Sequence, residues 1–411
     1  MEQKELIPHL FRTEFSKITA VLCHRFGTDH IQIAEDIAGD TFLLAVETWP
    51  FKGIPENPAA WLYTVAKNKA KNYFQRDHLF QKKIAVEIKN ASNEAQEFEI
   101  DLSDKNITDS QLQMLFAVCH PSLSVESQIA LSLRILCGFG IEEIASAFLT
   151  NKETINKRLF RAKEKWRTEK IQLELPSKEG IPERLKTVLI TLYLLFNEGY
   201  YSESNEDVLR EDLCREAMRL TELLLQNELT NQPDVNALYA LMCFHSSRFE
   251  ARRNINGEMI LYADQDETLW NRQLIAKGIY FLKQSSQGSV ISRYHLEANI
   301  AYWHTVKEDT KEKWENILQL FNQLLQIEYS PVAALNRTYA LSKARGKETA
   351  IVQAEKLDLK NNCFYFTLLG ELYKDINPQK AISNLQQAYL LAKTGSDKKT
   401  ILKKIDEMES R

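Results

Sequence analysis

The chain has 411 residues, with 44% hydrophobic and 26% charged residues and a formal net charge of −4. That length holds two to three domains with sizeable cores, and the charge excludes a uniformly basic coat, so any nucleic-acid surface must be local. Glycine and proline are scarce, at 13 and 10, while helix formers abound, so the expected fold is all-α. The six cysteines are scattered without metal-ligand spacing and read as buried free thiols. The N-terminus carries charge and lacks the apolar stretch of a signal peptide, and no run approaches a membrane span. A cytoplasmic protein with no membrane partner is expected.

In chain order, residues 1–83 predict a first helical unit. Leu6 to Phe26 forms one helix and Asp29 to Trp49 a second. In the second helix Ile33, Ala34, Ile37, Ala38, Leu44 and Ala45 mark a core side. Asp36, Asp40, Leu43 and Glu47 follow at i, i+4, i+7 and i+11 on the opposite side. An acidic stripe with one exposed leucine suits either solvent or a basic partner helix. Phe51 to Pro58 is a loop, because Gly53, Pro55 and Pro58 forbid a continuous helix.

Asn57 to Asp77 then starts a helix with two faces. Leu62, Val65, Ala66 and Tyr73 form the apolar face. Thr64, Lys67, Asn68, Lys71 and Gln75 line the other, interleaved with Trp61, Tyr63 and Phe74. Amines hold phosphate and rings stack on bases, so this face suits a partly unstacked strand as well as bulk solvent.

Residues 84–109 are rich in acids and read as a flexible linker. Residues 110–175 form a second unit: helices at Gln111–Cys119 and Ser124–Cys137, then a short helix at Ile141–Phe148, a turn at Leu149–Asn151 and a long helix from Lys152. That is a helix-turn-helix pattern. Ile155, Leu159, Ala162 and Trp166 give the long helix an apolar stripe, flanked by Thr154, Lys157, Arg158, Arg161 and Lys165.

From 176 to 411 the chain predicts successive helical hairpins. Leu335, Asn336, Tyr339, Ile351 and Ala354 recur as Leu369, Gly370, Tyr373, Leu385 and Ala388 at an offset of 34, a tetratricopeptide-like (TPR-like) period. Two polar clusters stand out: Asn197, Glu198, Tyr200, Tyr201, Arg210, Glu211 and Asp212, and Asp264, Gln265, Asp266, Trp270 and Arg272. No histidines accompany them at ligand spacing, so they read as networks that fix how hairpins stack. No catalytic constellation, metal site or cofactor loop is expected. His245, His295 and His304 read as packed or surface residues, and Cys119–His120 is too little for a metal.

AEDIAGDTFLLAVETW, the proline-containing loop and NPAAWLYTVAKNKAKNYFQRD resemble region two of the extracytoplasmic-function (ECF) sigma factors of bacterial RNA polymerase. SQIALSLRILCGFGIEEIASAFLTNKETINKRLFRAKEKWR resembles their region four, and the extension with LLFNEGYY, LREDLCREA and DQDETLWNR resembles a subgroup with a TPR-like C-terminal domain. The resemblance implies a sigma region two bundle, a region four helix-turn-helix domain and a C-terminal TPR-like hairpin array. It implies core polymerase docking by Asp36, Asp40, Leu43 and Glu47. It implies recognition and opening of the minus-ten element by the loop and by Trp61, Thr64, Lys67, Asn68, Lys71 and Arg76. Thr154, Asn156, Lys157, Arg158, Arg161 and Lys165 would read the minus-thirty-five element as duplex. The C-terminal domain would modulate activity, with a protein or ligand as its partner. The competing reading is a stand-alone helix-turn-helix regulator with a sensing helical domain.

Overall fold

A computed structural model describes residues 3–85, 100–148, 150–200, 211–252, 260, 262–392 and 395–409; side chains of 76–85 fall outside the description. Among the described residues the secondary structure is helical, without strands. The chain divides into two compact units, one of residues 1–195 with 226–230, the other of 196–225 with 231–411. No described helix is long and apolar enough to cross a membrane.

The first unit opens with α1 (Gln3–Phe26), α2 (Ile31–Lys52) and α3 (Pro58–Ala85). Helix α2 runs three residues beyond the expected Trp49 and ends at Gly53, whose φ of 84° suits glycine. Its core side is Ala34, Ile37, Ala38 and Ala45, all buried, with Ile33 and Leu44 half-buried. Asn57 caps α3, its side chain accepting from the Ala60 amide at 3.0 Å. Leu62, Ala66 and Ala70 are buried at i+4 spacing, whereas Tyr73, expected in the core, is 41% exposed. Phe74 takes the apolar contact there instead, stacking on Phe26 with ring centroids 3.5 Å apart.

Of the expected linker, 84 and 85 belong to α3, 86–99 lie outside the described residues, and the remainder is described. Ile100 is buried, and α4 (Asp104–Val118) begins earlier than the expected Gln111. The reason is local: Ser103 caps the helix, and Ile107 already points into the core. Helix α5 (Val125–Leu131) passes into a π-helical turn at Ser132–Leu136 rather than continuing as one α-helix to Cys137. Helices α6 (Ile141–Ala147) and α7 (Lys152–Thr168) follow. They pack on each other as the expected helix-turn-helix pair, with Leu149 outside the described residues. Asn151 caps α7, and Ile155, Leu159, Ala162 and Trp166 are buried along it. Helix α8 (Ile181–Tyr200) contributes its residues up to Leu195 to this unit. Arg184 donates to the Phe116 carbonyl at 2.6 Å and Thr191 to Gln128 Oε1 at 2.9 Å.

The two expected N-terminal modules are packed together. Helix α1 lies against α4 as well as α2. Arg12 pairs with Glu143 at 2.5 Å, Gln111 donates to Ser16 Oγ at 3.2 Å, and Thr28 donates to the Ile171 carbonyl at 2.9 Å. At the centre, Glu35 of α2 is only 5% exposed. It takes an ion pair from Lys163 of α7 and another from Arg134 at 3.3 Å. A buried carboxylate is tolerable only with such partners, so one acid ties three segments.

The second unit is built of hairpins: α9 (Glu211–Gln226), α10 (Pro233–Ser246), α11 (Arg272–Ser285), α12 (Arg293–Trp303), α13 (Lys311–Ile327), α14 (Pro331–Arg345), α15 (Lys347–Glu355), α16 (Cys363–Tyr373), α17 (Pro378–Leu391) and α18 (Gly395–Glu409). From α12 onward each helix packs on the next, giving a serial array. The repeat falls on the hairpins α14–α15 and α16–α17, where Leu335, Ile351, Ala354, Leu369, Leu385 and Ala388 are all buried. The two tyrosines are not equivalent: Tyr373 is buried and bonds Glu355 at 2.6 Å, whereas Tyr339 is 43% exposed beside Trp314. A Cβ on Gly370 would come within 2.7 Å of Leu385, which explains why glycine stands where α16 and α17 touch.

Two outcomes follow for stability. Gly370→Ala overpacks the α16–α17 contact and should cost about 1–3 kcal/mol, read as a lower denaturation midpoint. Glu35→Ala strands two largely buried cations and should cost about 3 kcal/mol. An unchanged midpoint for Glu35→Ala would show that this ion-pair network does not hold the first unit together.

Candidate nucleic-acid interface

Three surfaces of the first unit hold the residues that the sequence singles out. On α2, Asp36, Asp40, Leu43 and Glu47 are all exposed on one stripe, with Leu43 at 54%. Val46 beside them is 50% exposed, so the stripe holds two apolar side chains among three acids. Asp40 faces Lys69 of α3 at 3.5 Å, a solvent-screened contact that links this stripe to the next surface.

On α3, Thr64, Asn68 and Lys71 are exposed and Lys67 is half-buried. Trp61 is half-buried too, its ring set edge-on to Trp49 with centroids 5.4 Å apart. The indole is therefore a support for the start of α3 with one side still reachable. The side chain of Arg76 lies outside the described residues. Tyr63 donates to Glu14, which ties α3 to α1; burial, and then this hydrogen bond, push the tyrosine pKa up. Next to these residues is an open groove of about 590 Å³ lined by Ala60, Tyr63, Thr64, Lys67, Ile100, Asp101 and Leu102. Asp101 forms its far wall; hydrogen bonds from Ser103 hold its carboxyl below the usual range, and Lys67 adds to the effect. The carboxylate thus stands near the amine that a phosphate would seek. Phe51, at the end of α2, is 88% exposed.

On α7, Thr154, Asn156, Lys157 and Arg161 are exposed. The other two expected residues are partly committed to the protein. Arg158 is half-buried with its guanidinium 5.5 Å from the centre of the Phe148 ring. Lys165 donates to the Ser122 carbonyl and lies 3.6 Å from Glu169. Lys163 turns inward to Glu35. Charge counting along the helix did not separate this inward lysine from its outward neighbours. Phe160, 65% exposed on the same helix, was likewise missed, because an apolar residue outside the buried stripe carries no periodic mark. Glu35, Glu14 and Asp101 were missed for a similar reason: their importance lies in contacts distant in sequence.

Among the described residues no group of three or more histidine, cysteine or carboxylate side chains is arranged to hold a metal.

Comparison with known proteins finds matches to the stretches of chain that hold these surfaces. Sigma-70 region 2 matches residues 10–79, which hold the α2 and α3 stripes. Sigma-70, region 4 matches residues 113–165, which hold most of α7. A family of unknown function (DUF6596) matches residues 184–286. An uncharacterized protein of Rhizobium meliloti (strain 1021) is 32% identical over 387 residues, covering 92% of this chain and 90% of its own length. RNA polymerase sigma factor YlaC of Bacillus subtilis (strain 168) is 33% identical over 82 residues, 20% of this chain and 46% of that protein. No solved structure matches the chain. With both sigma regions present in order, and a sigma factor among its relatives, the chain belongs to the sigma-70 family as an ECF-type RNA polymerase sigma factor.

Proposed function

We propose that the three surfaces divide the work of initiation. Asp36, Asp40, Leu43 and Glu47 dock on core polymerase; Trp61, Thr64, Lys67, Asn68, Lys71 and Arg76 engage the minus-ten element as it opens; Thr154, Asn156, Lys157, Arg158, Arg161 and Lys165 read the minus-thirty-five duplex. The observation that carries this reading is the adjacency of an acidic, leucine-bearing stripe on α2 to a basic, aromatic-flanked stripe on α3. A simple duplex binder has no use for the first. Exposed Leu43 supplies apolar area to a protein partner, and the acids give that partner's basic groups a fixed register.

The minus-ten surface works on bases leaving the stack. Unstacking costs a few kcal/mol per step, which phosphate contacts and capture of a displaced base offset. The groove beside Thr64 and Lys67 is the natural receptor for such a base. On α7 the outward residues Thr154, Asn156, Lys157 and Arg161 would make the base and phosphate contacts, while Arg158 and Lys165 brace the helix as well. Neither surface alone need bind tightly, because both are tethered to polymerase. For the two regions to span two elements of one promoter, α7 would leave α2, so we place the release of Lys163 from Glu35 in the loading step. The chemistry of RNA synthesis stays with the polymerase, and the protein acts in the cytoplasm. The second unit regulates this release, through a protein or ligand that it binds.

Reconstitution with core polymerase and a cognate promoter tests the division. Lys67→Ala with Lys71→Ala should slow open-complex formation about tenfold, as expected for two lost contacts of about 0.7 kcal/mol each, with polymerase affinity nearly unchanged. Equal losses in both would remove the opening role from α3. Leu43→Glu should instead lower polymerase affinity by about tenfold or more, since it deletes about 1.5–3 kcal/mol of apolar burial and adds charge. Arg161→Ala should cost about 1–3 kcal/mol at the upstream element and flatten the salt dependence by about one unit of slope.

A further inference from the structure

Among the described residues of the second unit, four cations gather around two tyrosines. Arg248, just past α10, is 7% exposed. Its guanidinium lies 5.4 Å from the centre of the Tyr262 ring and donates to Tyr200 Oη at 3.4 Å. Arg252, one turn on, sits 3.9 Å above the Tyr200 ring. Lys313 is 1% exposed, donates to Tyr262 Oη at 3.0 Å and lies 5.3 Å from that ring. Lys307 lies 5.6 Å from it and donates to the Gln265 carbonyl at 2.8 Å. Four cations thus surround two tyrosines. Among the described residues no carboxylate forms an ion pair with Arg248 or Arg252. Asp309, the acid nearest Lys313, is committed to Lys343 at 2.8 Å and to Trp314. Asp266 is committed to Thr268 at 2.7 Å.

The polar atoms left over at this place point the same way. Arg248 Nε, Arg252 Nη1 and Trp270 Nε1 are buried donors without a hydrogen-bond partner, and Gln265 Oε1 and His304 Nδ1 are buried and unsatisfied beside them. Buried donors are normally satisfied, and an unpaired buried guanidinium is among the costliest exceptions. Cation–aromatic contacts offset part of that cost but accept no hydrogen bond. His304 and His245 add no further positive charge: burial and the neighbouring cations push His304 down to about 3 and His245 well below the ordinary histidine range. Among the described residues, Arg248 and Arg252 have no acceptor with negative charge.

We infer that Arg248 and Arg252, backed by Lys307 and Lys313, form a binding site for a phosphate group. A tetrahedral dianion offers acceptors on several sides and matches guanidinium forks, whereas a single carboxylate leaves most of this charge unanswered. Arg252, Tyr262 and Lys307 are half-exposed and provide the approach from solvent. The site joins the two polar stretches that stand out in the sequence, through Tyr200 in the first and Gln265 and Trp270 in the second. It is independent of the promoter-binding surfaces, so its test needs neither DNA nor polymerase.

The test is thermal unfolding of the full chain with inorganic phosphate, with glycerol 3-phosphate, and with sodium chloride at matched ionic strength. Phosphate or its ester should raise the melting temperature by about 2 °C or more above the chloride control. A rise with inorganic phosphate identifies the free anion as sufficient, and a rise with the ester alone identifies a phosphomonoester; either supports the site. Arg252→Gln, at a half-exposed position where folding should survive, must remove the increment, and Arg248→Met must do so without lowering the melting temperature in chloride. No increment over chloride, an increment that persists in Arg252→Gln, or a Arg248→Met chain destabilised in chloride would each overturn the inference, the last because Arg248 would then be a structural residue.

Discussion

The buried carboxylate of Glu35 governs the first unit. A charge in that position is unfavourable unless two cations reach it, and both come from beyond the linker, Arg134 from the π-helical turn and Lys163 from α7. The region two and region four parts of the chain therefore hold one another in register through a polar contact instead of apolar packing alone. The same contact sorts the basic residues of α7. With Lys163 turned inward, Lys157 and Arg161 are left facing solvent, and the positive field of the helix is presented away from α2. An ion pair suits the opening we propose for loading, because its components regain solvation when separated, whereas an apolar seam would expose area that water rejects.

Much of this was legible in the sequence. The acidic stripe of α2, the two faces of α3 and the buried stripe of α7 lie where helical periodicity puts them. So do the hairpins of the repeat, because periodicity reports the side of a helix that is buried. What it does not report is which neighbour does the burying. Glu35 sits one residue from Asp36 and looks like another surface acid; only the approach of α7 distinguishes them. Tyr73 has the right spacing for the core, but α1 ends before it, and Phe74 fills the contact with Phe26. The linker's last residues fold because Ser103 caps α4 and Ile100 finds a buried position, local events that an acid-rich composition hides.

The second unit solves a different packing problem. Its array is stacked through small residues, with Gly370 against Leu385 and Gly278 against Phe244 allowing close approach. Near α10 and α12 the array departs from apolar packing and gathers arginine, lysine, tyrosine and tryptophan. The sequence marks that place only as polar. Its residues read as a network that fixes hairpin stacking; Arg248 and Lys313 are buried there, while Asp264, Asp266 and Glu267 lie on the exposed side. A polar stretch in a sequence gives no sign of which charges its fold turns inward.

The thiols show how little of this molecule is open to redox chemistry. Cys23, Cys119, Cys214 and Cys243 are buried, and burial raises each thiol pKa, to about 12 for Cys119 and Cys243 and higher for the other two. Peroxides and disulfides react with the thiolate, and at neutral pH that form is almost absent from these positions. The sulfurs behave as small apolar fillers, shielded by burial and held as thiols. In this fold these four cysteines serve packing rather than thiolate chemistry.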